Sequence, residues 1–283
     1  MLGLPHRTER RAKRERVMSM NRRQFIKIAG LSTLFGLGGK GAFEILRPGM
    51  LDAAEHGHGA PALEEPAEPA IRWGMTIDVE KCAEPGVVDK CIKACHSVHN
   101  VPDFGDSKDQ VKWLWQDDYE HTFAGNENQY MADHVKEFPF LCLCNHCDEP
   151  PCVRVCPTKA TFRRPDGVVA MDYHRCIGCR FCMAACPFGA RSFNWLDPRD
   201  ALNEKEYNME FPTRGRGVVE KCNFCVERLA KGLMPACVEA APQALAFGNL
   251  ADPDSNVRQI LRKRPSMRRK LELGSEPSVF YLV

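Results

Sequence analysis

Four cysteines within eleven residues constrain this chain more than any other feature: Cys176, Cys179, Cys182 and Cys186, followed by Pro187. Steps of two residues let the first three sulfurs converge on one point. The longer step throws the fourth sulfur away from that point, and the proline turns the chain out of its helical segment. A second run, Cys144, Cys147, Cys152 and Cys156-Pro157, repeats the pattern with two additional residues. A third set, Cys222, Cys225 and Cys237, has Ala241 before Pro242 where a fourth cysteine is expected. An incomplete run, Cys82, Cys91 and Cys95, lies near the beginning of the ordered part.

The first run matches the bacterial ferredoxin spacing, in which three thiolates hold one [4Fe–4S] cube and the fourth serves the neighbouring cube. Zinc usually takes two separated CxxC pairs and not four cysteines in one run. Exchange of the last ligand between the two full runs closes two cubes. One uses Cys144, Cys147, Cys152 and Cys186; the other uses Cys176, Cys179, Cys182 and Cys156. The same rule applied to the remaining runs closes a third cube from Cys222, Cys225, Cys237 and Cys95. A fourth would need Cys82, Cys91, a cysteine lost in the Ala83–Lys90 insertion, and a cysteine at position 241. Both absences fall on one site, so the expectation is three [4Fe–4S] clusters held by twelve ligands, with the fourth ancestral site lost. Cys82, Cys91 and Cys142 are left over. A Cys82–Cys91 disulfide, a pair of buried thiols, or rescue of the fourth site by Cys142 or His96 stay open. Cys91-x3-Cys95-His96 has one residue too many for covalent haem, and an odd total of 15 cysteines argues against a disulfide framework.

The runs sit in a repeat. Thr76-Ile77-Asp78 precedes Cys82 as Ala170-Met171-Asp172 precedes Cys176, and Asp166-Gly167 reads as a hairpin turn between two short strands. The expected fold class is α+β: tandem bacterial ferredoxin-like 4Fe-4S modules with long insertions at 97–141 and 188–220. The first insertion holds Val111-Lys112-Trp113-Leu114-Trp115, read as core. The expected domains are a twin-arginine leader at 1–48, a flexible linker at 49–70 carrying His56 and His58, the double ferredoxin-like domain at 71–250, and a basic C-terminal docking tail at 251–283.

Charge supports that division. Residues 1–48 carry 11 basic and 3 acidic side chains, and the rest of the chain is net negative, so nucleic-acid binding loses its electrostatic motive. Arg22-Arg23 stand before a short, Gly-containing apolar stretch, the pattern of a twin-arginine export signal. Met18 and Met20 are alternative starts, and a cleaved leader and a retained anchor are both open. No run of 18 apolar residues occurs, which argues against a bilayer span. The expected localisation is periplasmic, peripheral to the cytoplasmic membrane.

A cube ligated by four cysteines has no open coordination site and moves single electrons. There is no Gly-rich dinucleotide loop and no GxSxG, and the histidines (His99, His121, His134, His146, His174) are scattered. His146, between Cys144 and Cys147, is read either as tuning a cluster or as a plain surface residue. Arg258, Arg262, Lys263, Arg264, Arg268, Arg269 and Lys270 are candidates to face anionic headgroups or an acidic partner. The chain resembles the four-cluster ferredoxin subunits of membrane oxidoreductases over about residues 71–283 plus the export signal. Three stretches, Cys91–Asn100, Met171–Cys182 and Leu273–Pro277, resemble the DsrO subfamily, which serves the dissimilatory sulfite-reduction membrane complex. That resemblance implies electron exchange between a periplasmic multihaem cytochrome c and a polytopic quinone-interacting membrane subunit, in sulfur metabolism. It implies no catalysis by this chain itself. An equivalent subunit of a nitrite, polysulfide or hydrogenase-type oxidoreductase is the alternative, marked by a molybdoenzyme in the operon or by all sixteen ligands. A non-redox zinc protein would be colourless.

Overall fold

The computed structural model describes residues 71–283, apart from 126–129, 131, 203–206 and the side chain of His134. The expected twin-arginine leader and the linker histidines lie outside the described residues. Apolar residues alternate at Trp73, Met75 and Ile77, and β1 (Trp73–Asp78) forms there. Val87, Val88, Cys91 and Cys95 recur at helical spacing, and α1 (Val87–Val98) buries all four. Three antiparallel pairs follow: β2 (Leu114–Asp117) with β3 (Phe140–Leu143), β4 (Thr161–Arg163) with β5 (Val169–Met171), and β6 (Ser192–Phe193) with β7 (Val219–Glu220). The chain continues through α2 (Ala236–Ala240), β8 (Leu245–Asn249), α3 (Asn256–Lys263), β9 (Ser266–Met267) and β10 (Val279–Leu282).

The central sheet has the order β8-β1-β10-β9. Met75 of β1 lies opposite Phe247 of antiparallel β8 and opposite Val279 of parallel β10. Being flanked on both edges and covered on both faces, β1 is buried from Gly74 to Asp78. A Cβ at Gly74 would stand 2.5 Å from Leu250 Cδ1, so the side chain of Leu250 fills the space that glycine leaves. The β4–β5 hairpin turns where the sequence places it, with Gly167 at φ 82°.

The 97–141 insertion feeds the core, as expected: Val111, Trp113, Leu114 and Trp115 are buried. Trp113 stacks on His99 at 4.5 Å and donates its indole N–H to Glu220 Oε2 at 2.9 Å. Glu220 is in turn held by Arg214 at 2.5 Å, with both side chains fully buried.

Residues 251–283, read from sequence as a basic C-terminal docking tail, contribute strands to the central sheet. Their apolar run Val279-Phe280-Tyr281-Leu282 forms a strand inside the sheet, and Tyr281 is completely buried, donating its hydroxyl to Leu141 O. Much of the basic charge also turns inward. Arg264 pairs with buried Asp78, Arg269 Nε donates to Thr122 O, Arg268 pairs with Glu276, Arg258 donates to Leu250 O, and Lys270 donates to Pro187 O. Arg262 and Lys263 remain exposed.

Candidate metal centre

Each cysteine run lies on a turn whose backbone is forced into an unusual conformation. At 176–182, Gly178 has φ 70°, and a Cβ there would meet the carbonyl of Gly217 at 2.4 Å. Arg180 is also left-handed, at φ 61°, and caps the short helix Phe181–Ala185. His146, Phe224 and Cys225 carry positive φ in the other two runs. Non-glycine residues rarely adopt this region, and such strain concentrates at functional sites. Here it coils the backbone so that alternate side chains converge.

The structure brings Cys95 to Cys222, Cys225 and Cys237, brings Cys186 to Cys144, Cys147 and Cys152, and sets Cys182 by Cys152 and Cys176. In the first of these groups, Cys95 is pushed well above the usual thiol range by burial and by the charges of Cys222, Cys237 and Cys225. Cys95 reaches them because it is the last buried position of α1, which packs against α2, the helix of Cys237. In the second, burial and the charges of Cys144, Cys152 and Cys186 push Cys147 to about 12. Cys186 thus joins three thiols from a stretch that ends 34 residues earlier in the chain. In the third, burial raises Cys182, and Cys152 of the second group raises it as well as Cys176, against the lowering influence of Arg191. Cys156 and Cys179 lie on the flanking turns. The 156–160 turn is held beside the 172–176 turn by the Asp172 N–H donating to Ala160 O at 2.7 Å. Burial raises the Cys156 thiol, but the backbone N–H groups of Thr161, Thr158 and Ala160 and the Thr158 hydroxyl outweigh it and hold the thiol below its usual value.

The three groups form a row. Cys222 of the first feels Cys144 of the second, and Cys182 of the third feels Cys152 of the second. Exposure rises along it: Cys95, Cys222, Cys225 and Cys237 are buried, whereas Cys179 is exposed beside exposed Ile177 and Phe181.

Thiols packed this closely in a low-dielectric interior repel one another as thiolates, which is the reason burial and neighbours drive most of them upward. A bound cluster of iron ions supplies the missing positive charge and takes thiolate ligands, so the donor set fits iron–sulfur clusters. Buried cations surround the row as well. Lys221 Nζ donates to Val169 O and to Cys222 O, and Arg191 lies 5% exposed between two of the groups.

His146 is no surface residue. It is completely buried, stacked on Phe224 at 3.6 Å, with Nδ1 accepting the Val169 N–H at 3.1 Å. Burial and the cations Lys221, Arg72 and Arg191 hold it well below the usual imidazole range. His99 goes the other way. Burial opposes its protonation, but hydrogen bonds to Cys225 and Glu227 carry it up to about 9. His99, Cys225 and Glu227 offer ligand atoms within 4.8 Å of one another, yet this trio shares Cys225 with the first thiol group. Asn223 closes the network, donating to Glu227 and accepting the Cys225 N–H. The i,i+4 spacing of Cys95 on α1 and His99 at its C-cap is the sequence signal that could have found His99, whose Nδ1 lies 3.7 Å from Cys95 Sγ; no such spacing marks Arg191.

At the incomplete run, Cys82 and Cys91 are both buried. Burial, Cys91 and Asp78 push Cys82 to about 12, and burial pushes Cys91 to about 11. Cys91 donates to Cys237 O at 3.5 Å, and Ala241 is completely buried. Cys142 and His96 are engaged elsewhere, with the Thr122 hydroxyl at 3.4 Å and with Leu114 O at 3.2 Å. A cavity of about 600 Å³ lined by Lys93, His96, Asn100, Asp103 and Tyr207 includes none of the fifteen cysteines.

Comparison with known proteins adds the class. Two family profiles described as 4Fe-4S dicluster domains match residues 136–199 and 168–242. The Hdr-like menaquinol oxidoreductase iron-sulfur subunit 1 of Archaeoglobus fulgidus is 39% identical over 285 residues, covering 93% of this chain and 97% of that protein. The menaquinone reductase iron-sulfur cluster-binding subunit of Nitratidesulfovibrio vulgaris is 35% identical over 75% of this chain and 89% of its own length. Protein NrfC of Escherichia coli is 36% identical over 74% of this chain and 80% of its own length. The chain belongs to the family of 4Fe-4S iron–sulfur subunits of membrane oxidoreductases. It is an electron-transfer subunit built from tandem ferredoxin-like domains, and not a catalytic subunit. Among the described residues, no helix is long and apolar enough to cross a membrane.

Proposed function

We propose that this chain is a three-cluster relay. Cys95, Cys222, Cys225 and Cys237 hold one [4Fe–4S] cluster. Cys144, Cys147, Cys152 and Cys186 hold the second, and Cys156, Cys176, Cys179 and Cys182 hold the third. The observation that carries this reading is the crosswise gathering of thiols: Cys95 stands with Cys222, Cys225 and Cys237, and Cys186 stands with Cys144, Cys147 and Cys152. The clusters pass one electron at a time along the row. The exposed Cys179 end serves as a terminal for a redox partner, and the apolar Ile177 and Phe181 beside it are the contact surface. Cys82 and Cys91 stay unligated, because Ala241 offers a methyl where a third sulfur is needed.

In this reading the relay links a polytopic quinone-interacting membrane subunit to a periplasmic multihaem cytochrome c. The Archaeoglobus and Nitratidesulfovibrio relatives, named for menaquinol and menaquinone chemistry, favour the quinone terminal. The likeness to the DsrO subfamily favours service in sulfur metabolism, and Arg22-Arg23 favours export by the twin-arginine route as a folded, loaded protein. The test is iron and acid-labile sulfide counting on anaerobically purified protein. About 12 Fe per chain supports three cubes; about 16 would mean a fourth survives, and none would end the reading.

A further inference from the structure

Arg191 has an unusual position for an arginine. It is 5% exposed, and no carboxylate among the described residues lies within ion-pair distance of it. Its Nη2 donates to Thr161 Oγ1 at 2.7 Å, and its Nη1 reaches Met171 Sδ at 3.7 Å. Met171 in turn packs on the apolar cluster that contains Cys152 and Cys182. A buried guanidinium without a counter-anion is strongly unfavourable, and a guanidinium does not lose its proton in a protein. The anionic groups placed to balance it are therefore the sulfurs around it.

We infer that Arg191 is a fixed cation shared by the Cys144 and Cys176 clusters, raising the reduction potential of both. The inference rests on the ligand assignment above. Its electrostatic support is that burial opposes the charge of Arg191 while Cys152, Cys182, Cys144 and Cys186, drawn from two thiol groups, favour it. A [4Fe–4S] cluster held by either set of cysteines would become more anionic on one-electron reduction. A nearby positive charge stabilises that reduced form. The Thr161 hydroxyl makes Arg191 a positioned charge, because it fixes one arm of the fork. The Cys95 cluster has Lys221 beside Cys222 in the corresponding place.

The experiment is a dithionite redox titration of the full, cluster-loaded chain followed by electron paramagnetic resonance, for wild type, Arg191→Gln and Arg191→Lys. Arg191→Gln is expected to lower two midpoints and leave the third in place, by the same amount at pH 6.5 and pH 8.5. Arg191→Lys, which keeps the charge, is expected to load iron and hold both midpoints close to wild type. If Arg191→Gln does not load, Arg191→Lys decides alone: midpoints that fall with the charge retained overturn the inference. So do three unmoved midpoints, or three that shift together, in loaded Arg191→Gln. A wild-type chain without iron overturns the ligand assignment and this inference together, whereas a loaded wild type with unmoved variants overturns the inference alone.

Discussion

Cys91 and Cys95 stand one turn apart on the same face of α1, and that turn separates two chemistries. Cys95 meets three further thiols; Cys91 meets the Cys237 carbonyl and the neutral thiol of Cys82. Cys95→Ala is therefore expected to lower iron from about 12 to about 8 per chain, read by iron analysis, with two cluster signals retained. The double variant Cys82→Ala, Cys91→Ala should keep about 12, since neither thiol serves a cube. Position 220 is structural by contrast. Glu220 balances Arg214 where neither side chain sees water, and it also accepts from Trp113 and Asn194. Glu220→Ala leaves that guanidinium uncompensated and should cost about 3–5 kcal/mol in a denaturant titration.

At the scale of elements, short helices and two-residue strands carry much of this fold, and few of them would hold alone. What holds them is the sheet order. β10 joins β1 in parallel from the far end of the chain, with Met75 opposite Val279 and Leu282 opposite Asp78. Deleting residues 279–283 should abolish cluster loading and the cooperative thermal transition; a detachable tail would leave both unchanged. The hairpin at Asp166-Gly167 and the buried Val111–Trp115 stretch were legible from sequence, because turn chemistry and hydrophobic patterning are local. The role of β10 was not legible. Seven basic residues dominate the segment before it, and the partners that draw Arg264, Arg269 and Lys270 inward, Asp78, Thr122 and Pro187, lie on distant parts of the chain.

For the whole molecule, exposure is graded along the row, from the buried Cys95 group to exposed Cys179. Oxygen should therefore attack the Cys179 end first. Brief exposure of the loaded protein to air is expected to take iron from about 12 to about 8 while two resonance signals persist, and simultaneous loss of all three would contradict the gradient. The cysteine spacing by itself determined the chemistry, because a run with steps of two, two and three residues carries its ligand geometry within one local turn. It also makes Ala241 and the 83–90 insertion visible as gaps in a repeat. Only the tertiary structure decided which thiol groups are neighbours, the exposed end, and the buried charges of Arg191 and Lys221 around them. Those depend on contacts between residues far apart in sequence, and side chains such as these carry no spacing pattern that marks their partners before the chain folds.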